Sequence, residues 1–151
     1  MDVTLADPEA RGLIERLNRE LEALYPEDGT PRHFRLDPAE VAPGRGAFLL
    51  ARLEGKAVAC GAVRLLDEGT AEIKRMYTVP EARGRGLAAA LLARLEQLAR
   101  DLGARQVVLE TGPRQREAVR LYERAGYRAI PPFGAYEDSP LSLFLGKPLA
   151  S

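Results

Sequence analysis

The chain has one cysteine, Cys60, one histidine, His33, and no tryptophan in 151 residues. A lone cysteine excludes an internal disulfide, and with a lone histidine it cannot furnish the N/S ligand set of a structural zinc site. No apolar run approaches the roughly 20 residues of a membrane-spanning helix, so no membrane partner is expected. The opening Met1-Asp2-Val3-Thr4 lacks both the basic start and the apolar stretch of a secretory signal, which points to the cytoplasm. Excess charge of one sign is also missing: Lys+Arg and Asp+Glu both total 22. What is present is a globular balance, with 46% apolar and 29% charged residues. A chain of this length buries enough surface to fold unaided, so residues 1–151 are read as a single domain.

Charge is uneven along the chain. Residues 74–128 hold twelve basic and six acidic residues, a local excess of +6. A basic centre in a neutral protein points to a local anionic ligand rather than a surface that coats nucleic acid. Arg94, Arg100, Arg116, Arg120 and Arg124 fall where a solvated helix face would be. The segment 114–128 lacks the aromatic interleaving of a base-stacking surface beyond Tyr122 and Tyr127.

Periodicity divides the chain. Leu13, Ile14, Leu17, Leu21 and Leu24 make one stripe of an amphipathic helix over residues 8–25, with Asp7 as N-cap before Pro8. Residues 26–46, rich in proline and glycine, read as a long loop with a short helical turn at 37–40. Apolar runs at 47–53, 56–66 and 71–79, split by Glu54-Gly55 and Asp67-Glu68-Gly69, predict an antiparallel meander. The period then changes. Residues 86–102 form a leucine-striped helix ended by Gly103, residues 106–110 a buried strand, and residues 113–125 a helix ended by Gly126. Strands follow at 127–130 and 141–145. The fold class is a mixed α/β sheet in which N-terminal antiparallel strands feed one central parallel βαβ unit flanked by helices. A doubly wound sheet would need repeated βαβ units.

The chemistry is carried by Val79-Pro80-Glu81-Ala82-Arg83-Gly84-Arg85-Gly86-Leu87-Ala88, where a strand passes into a helix. A helix N-terminus leaves N–H groups unsatisfied and carries partial positive charge, and glycine removes the Cβ atoms that would hold a ligand away. Such a segment predicts a pyrophosphate cradle, with Arg83 and Arg85 adding charge-assisted contacts. A nucleoside triphosphate is disfavoured because no Lys-Ser/Thr pair follows the loop. A dinucleotide fits Gly84-x-Gly86-x-x-Ala89 with Glu110 ending the next strand, but the loop does not turn directly off the strand and no further βαβ unit follows. Coenzyme A needs the same cradle, and its pantetheine amides can pair with an exposed strand edge.

Two motifs together resemble the GNAT superfamily of N-acyltransferases. Glu81-Ala82-Arg83-Gly84-Arg85-Gly86 is similar to its acyl-CoA pattern Gln/Arg-x-x-Gly-x-Gly/Ala, with Glu81 departing at the first place. Ala118-Val119-Arg120-Leu121-Tyr122, followed by Gly126-Tyr127, is similar to the second hallmark, Ala-x-x-Leu-Tyr before Gly-Phe/Tyr. The resemblance implies acetyl-CoA as acyl donor, bound by backbone of Met76, Tyr77, Thr78 and Val79 along the strand and by Arg83, Gly84, Arg85, Gly86, Leu87 and Ala88 at the cradle. It implies Tyr122 as general acid for the departing thiolate, although Tyr122 also sits on the core stripe of its helix. A base must take the proton of an ammonium whose ordinary pKa is about 10.4. Glu72, on the strand before the cradle, is the first candidate and Glu110 the rival, which could equally hold the acceptor's ammonium.

Strand parity puts Glu72, Lys74, Met76 and Thr78 on one face unless a β-bulge intervenes. Arg75, Phe133 and Tyr136 are expected at the acceptor pocket. Cys60 reads as a small buried hydrophobe and His33 as a loop histidine. The expected activity is acetyl transfer to a primary amine of a small molecule by direct attack in a ternary complex, with no metal and the protein a monomer or homodimer. Acetylation of protein or peptide amines, and a non-catalytic acyl-CoA sensor, are the alternatives.

Overall fold

The computed structural model describes residues 2–3, 8–24, 44–113, 115–131, 133 and 142–149. Tyr136, His33, Asp7 and the predicted turn at 37–40 lie outside them. The described elements are β1 (Asp2–Val3), α1 (Pro8–Leu24), β2 (Gly46–Leu53), β3 (Lys56–Asp67), β4 (Thr70–Thr78), a single 3-10 turn (Pro80–Ala82), α2 (Leu87–Asp101), β5 (Gln106–Thr111), α3 (Arg116–Arg124), β6 (Arg128–Ala129) and β7 (Leu143–Pro148). Among the described residues, no helix is long and apolar enough to cross a membrane.

The strands form one seven-stranded sheet in the order β1-β2-β3-β4-β5-β7-β6. β2, β3 and β4 are the predicted meander, and β4 pairs with β5 in parallel while every other pairing is antiparallel. The parallel pair follows from connectivity, because β4 reaches β5 only through the crossover helix α2.

Two apolar layers sandwich the sheet. Leu13 and Leu17 of α1 pack with Phe48, Leu50, Val58, Cys60, Ala62 and Tyr77 on one face. Leu91, Leu92 and Leu95 of α2 pack with Leu49, Val63, Ile73, Val107 and Leu109 on the other, joined by Tyr122 and Tyr127. Alternate residues of β3 therefore serve opposite cores, which is why its sequence reads as an unbroken apolar run rather than a two-residue alternation. Each leucine buried to this degree contributes about 2 kcal/mol of transfer free energy. At Gly61 of β3 a Cβ would lie 2.5 Å from Met76 Sδ and 2.8 Å from Leu95 Cδ1, so glycine lets these two side chains close over the strand as they stand.

Candidate functional site

The site begins at an irregularity in β4. Lys74 is opposite Ala62 and Tyr77 opposite Cys60, so Arg75 and Met76 share the single partner Gly61. Arg75 takes φ +58°. For a residue with a Cβ this left-handed conformation costs on the order of 1–2 kcal/mol, offset here by contacts that hold it. Arg75 Nη1 donates to Asn18 Oδ1 of α1 at 2.6 Å, and the Arg75 carbonyl accepts from Cys60 Sγ at 3.3 Å. The bulge breaks the predicted parity. Met76 turns to the α2 core and Tyr77 to the α1 core, so Glu72, Lys74, Met76 and Thr78 do not all share a face.

Just ahead of the bulge β4 and β5 part company. Their ladder runs from Thr70↔Gln106 to Ile73↔Leu109 and stops. β4 continues along β3 to Thr78, and β5 continues along β7 to Thr111. A wedge thus opens between the two parallel strands, presenting a strand edge that an extended amide-bearing ligand can pair with. A bulge increases local twist, which accounts for the divergence.

The wedge leads into the glycine loop. After the 3-10 turn, Gly84 (φ +83°) and Gly86 (φ +77°) lie in the left-handed region, and Gly86 is the N-cap of α2 with no side chain capping the helix. Ala90 N–H donates to the Gly86 carbonyl at 3.1 Å, the first turn of α2. The N–H groups of Leu87, Ala88 and Ala89 precede that bond and have no acceptor within the helix. A Cβ built on Gly84 or Gly86 meets nothing within 4 Å, so open space fronts both.

The arginines flanking this loop differ. Arg83 Nε donates to the Thr78 carbonyl at 2.9 Å, its Nη2 pairs with Glu20 of α1 at 2.8 Å, and its guanidinium sits 5.7 Å from the centre of the Tyr77 ring. It fastens the end of β4 to α1, and both Arg83 and Arg85 are exposed. Glu81 is held by Arg16 of α1 at 3.2 Å; its own backbone N–H, and after it this pairing, keep its carboxylate below the usual range.

The remaining predicted residues differ in burial and in partners. Tyr122 is buried beside α2, its ring edge-on to Tyr127 at 5.7 Å and 63°. Burial pushes its phenol pKa well up, and the negative charge of Glu110 adds to this; no hydrogen bond contributes. Glu110 is half-buried on β5 and accepts from Ser142 Oγ at 2.6 Å. Its strand neighbour Phe144 stacks edge-on with Phe133 at 5.3 Å, so Glu110 and Phe133 share one neighbourhood. Glu72 is opposite Val108, two residues before Glu110 on β5; it is 1% exposed, its Oε1 accepts from Arg64 Nε at 2.8 Å and lies 2.8 Å from Arg64 Nη2. Burial and this pairing fix the carboxylate against Arg64.

One cluster escaped the sequence reading. Glu96 of α2, 6% exposed, accepts from Tyr127 Oη at 2.8 Å and from Lys147 Nζ of β7 at 3.1 Å and 3.2 Å. The available signal was its place on the leucine stripe, four residues after Leu92 and three before Ala99. A carboxylate on a buried stripe requires partners.

Comparison with known proteins supplies the context for this geometry. Residues 11–127 match the profile of the Acetyltransferase (GNAT) family. A protein of Azospirillum brasilense named IAA acetyltransferase is 42% identical over 138 residues, 91% of this chain and 88% of its own. A Klebsiella pneumoniae structure classed with the acyl-CoA N-acyltransferases superposes with a TM-score of 0.83 at 38% identity, covering 99% of this chain and 96% of its own. PaiA N-acetyltransferase of Thermoplasma acidophilum, solved in complex with coenzyme A, shares the fold at 14% identity, with a TM-score of 0.71 over 98% of this chain and 96% of its own.

Proposed function

This chain belongs to the GNAT acetyltransferase family, whose acyl donor is acetyl-CoA, and from that premise we propose that it acetylates the primary amine of a small molecule by direct attack in a ternary complex. The observation that carries this reading is the adjacency of the β4–β5 wedge and the uncapped N-terminus of α2. One offers a strand edge to an amide chain; the other offers bare N–H groups and a positive dipole end to a diphosphate. Together they fit a pantetheine diphosphate. A free strand edge alone or a helix end alone would not specify one.

The acyl-CoA pattern fits two residues further on than Glu81–Gly86, as Arg83-Gly84-Arg85-Gly86-Leu87-Ala88. In this frame the first place is an arginine, the central glycine is the N-cap, and the final small residue lies in the first turn of α2. Backbone of Met76 to Val79 would hold the pantetheine arm, and backbone of Gly84 to Ala88 the phosphates, with exposed Arg85 adding charge. Arg83 supports the cradle through Thr78 and Glu20.

When bound, acetyl-CoA supplies an activated carbonyl and a thiolate leaving group. The chain supplies proton management and orientation. Tyr122 holds the proton for the thiolate: burial and the Glu110 charge both keep its phenol protonated at neutral pH. Glu110, half-buried near Phe133, holds the acceptor's ammonium and takes its proton, while Glu72 is a structural partner of Arg64. Arg75, anchored to Asn18 at the bulge, borders the acceptor side. Direct attack is favoured because Cys60 is fully buried and its thiol is pushed up to about 12, which leaves no competent nucleophile there. The similarity to an IAA acetyltransferase supports a small acceptor.

The test is thiol release from acetyl-CoA against a panel of small amines and peptides. Turnover with small amines is expected. Binding of acetyl-CoA without turnover on any amine, or turnover confined to peptides, would overturn the proposal.

A further inference from the structure

A buried carboxylate beside an apolar core is costly, and Glu96 lies on the buried face of α2 at the larger of the two, with Lys147 reaching it from the partly exposed margin. Three elements meet there. Glu96 comes from α2, Tyr127 from the link between α3 and β6, and Lys147 from β7. Their contacts close a ring: Tyr127 Oη donates to Glu96 at 2.8 Å, Lys147 Nζ lies within 3.2 Å of both Glu96 oxygens, and the same ammonium sits 5.6 Å from the centre of the Tyr127 ring. Gly126 lies alongside, the position a Cβ would take being 3.8 Å from the aliphatic stem of Lys147. An apolar trio of similar volume would stabilise the fold at least as well. What a fully satisfied polar network adds is a single allowed geometry.

That geometry bears on one residue in particular. Tyr127 meets Tyr122 edge-on at 5.7 Å, and the Tyr127 N–H donates to the Tyr122 carbonyl at 3.0 Å. We propose that Glu96, Tyr127 and Lys147 are positioning residues that fix the Tyr122 phenol relative to α2, so that the proton donor and the phosphate-holding helix keep one register. The inference rests on Tyr122 being the proton donor. Tyr127 has no direct part in the chemistry; its ring is the wall against which Tyr122 packs, and its hydroxyl is the peg that keeps the wall from turning. Because Glu96 and the cradle belong to the same helix, the peg is driven into the element whose N-terminus holds the diphosphate.

A double-mutant cycle on the full chain tests this. Tyr127→Phe keeps the ring and removes the peg, so kcat should fall about tenfold, short of the roughly hundredfold that an ångström of misplacement costs. KM for acetyl-CoA should stay within about twofold. In a Tyr122→Phe background the same substitution should change kcat by less than about twofold, because no phenol remains to be positioned. A purely structural role predicts the same loss in both backgrounds, and that result, or an unchanged kcat in Tyr127→Phe, would overturn the proposal. Wild-type kcat in Tyr122→Phe alone would instead refute the proton-donor assignment on which it rests. If Tyr127→Phe does not fold, Lys147→Met and Lys147→Arg are measured in both backgrounds. The Met variant should then reproduce the tenfold loss only where Tyr122 is present, and the Arg variant should restore kcat; failure of either result overturns the network.

Discussion

Glu72→Gln distinguishes a structural carboxylate from a catalytic one by asking which quantity moves, stability or rate. Glu72 is 1% exposed and faces two Arg64 nitrogens at 2.8 Å, while the Arg64 side chain keeps 24% exposure. The amide preserves volume and one oxygen but removes the charge opposite the guanidinium. Orphaning a fully buried partner costs about 3–5 kcal/mol, and a hydrogen bond to a charged group is worth about 1.5–3 kcal/mol. Water reaching Arg64 screens part of the unpaired cation, which places the loss near 2 kcal/mol. For a chain of this length each kcal/mol moves the midpoint by roughly 2–4 °C, so thermal unfolding should shift down by about 4–8 °C. Rates measured well below the new midpoint should stay within about threefold of wild type. Glu110→Gln should behave in the opposite way, with little change in midpoint and loss of the acidic limb of the pH–rate profile, where protonation of a base switches the rate off. Circular dichroism melts paired with initial rates decide the matter. A hundredfold drop in kcat for Glu72→Gln at an unmoved midpoint would refute the reasoning and return Glu72 to the base position.

Other outcomes follow from the same geometry. Tyr122→Phe should lower kcat by about a hundredfold or more, with acetyl-CoA affinity by calorimetry nearly intact; equal activity would remove Tyr122 from the mechanism. Gly86→Val, forcing a β-branched residue to φ +77°, should abolish acetyl-CoA binding at a stability cost of about 2 kcal/mol or more, and normal affinity in a folded variant would contradict the cradle. The Cys60 thiol, raised from 9.0 to about 12 by burial, should make native stability fall as pH climbs from about 9 toward 12, because the unfolded thiol ionises first. Cys60→Ala should lessen that decline by up to about 1.4 kcal/mol per pH unit while retaining activity, and identical alkaline profiles would show that the thiol is not shielded.

Element order, the meander and the uncapped glycine loop were readable in the chain itself because each rests on short-range physics. Glu54-Gly55 and Asp67-Glu68-Gly69 turn the hairpins, the leucine period writes α2, and Gly84 and Gly86 are tolerated where left-handed backbone is required. Two motifs at a matching separation, at the loop and at Tyr122, were enough to suggest the family.

The chemistry of individual side chains depended instead on contacts between residues far apart in sequence. A bulge at Arg75 and Met76 is invisible to a two-residue period, yet it decides which side chains of β4 face which core. Arg64 claims Glu72 from the neighbouring strand, and Glu20 and Thr78 engage the Arg83 guanidinium. Lys147 lies 51 residues from Glu96, and only the placement of β7 beside β5, with α2 packed across the sheet, brings the two together. Local propensity determines where the chain turns and coils. Which charge meets which partner is settled by the closing of the sheet, since the electrostatics that matter here act across a few ångströms of space rather than along the chain.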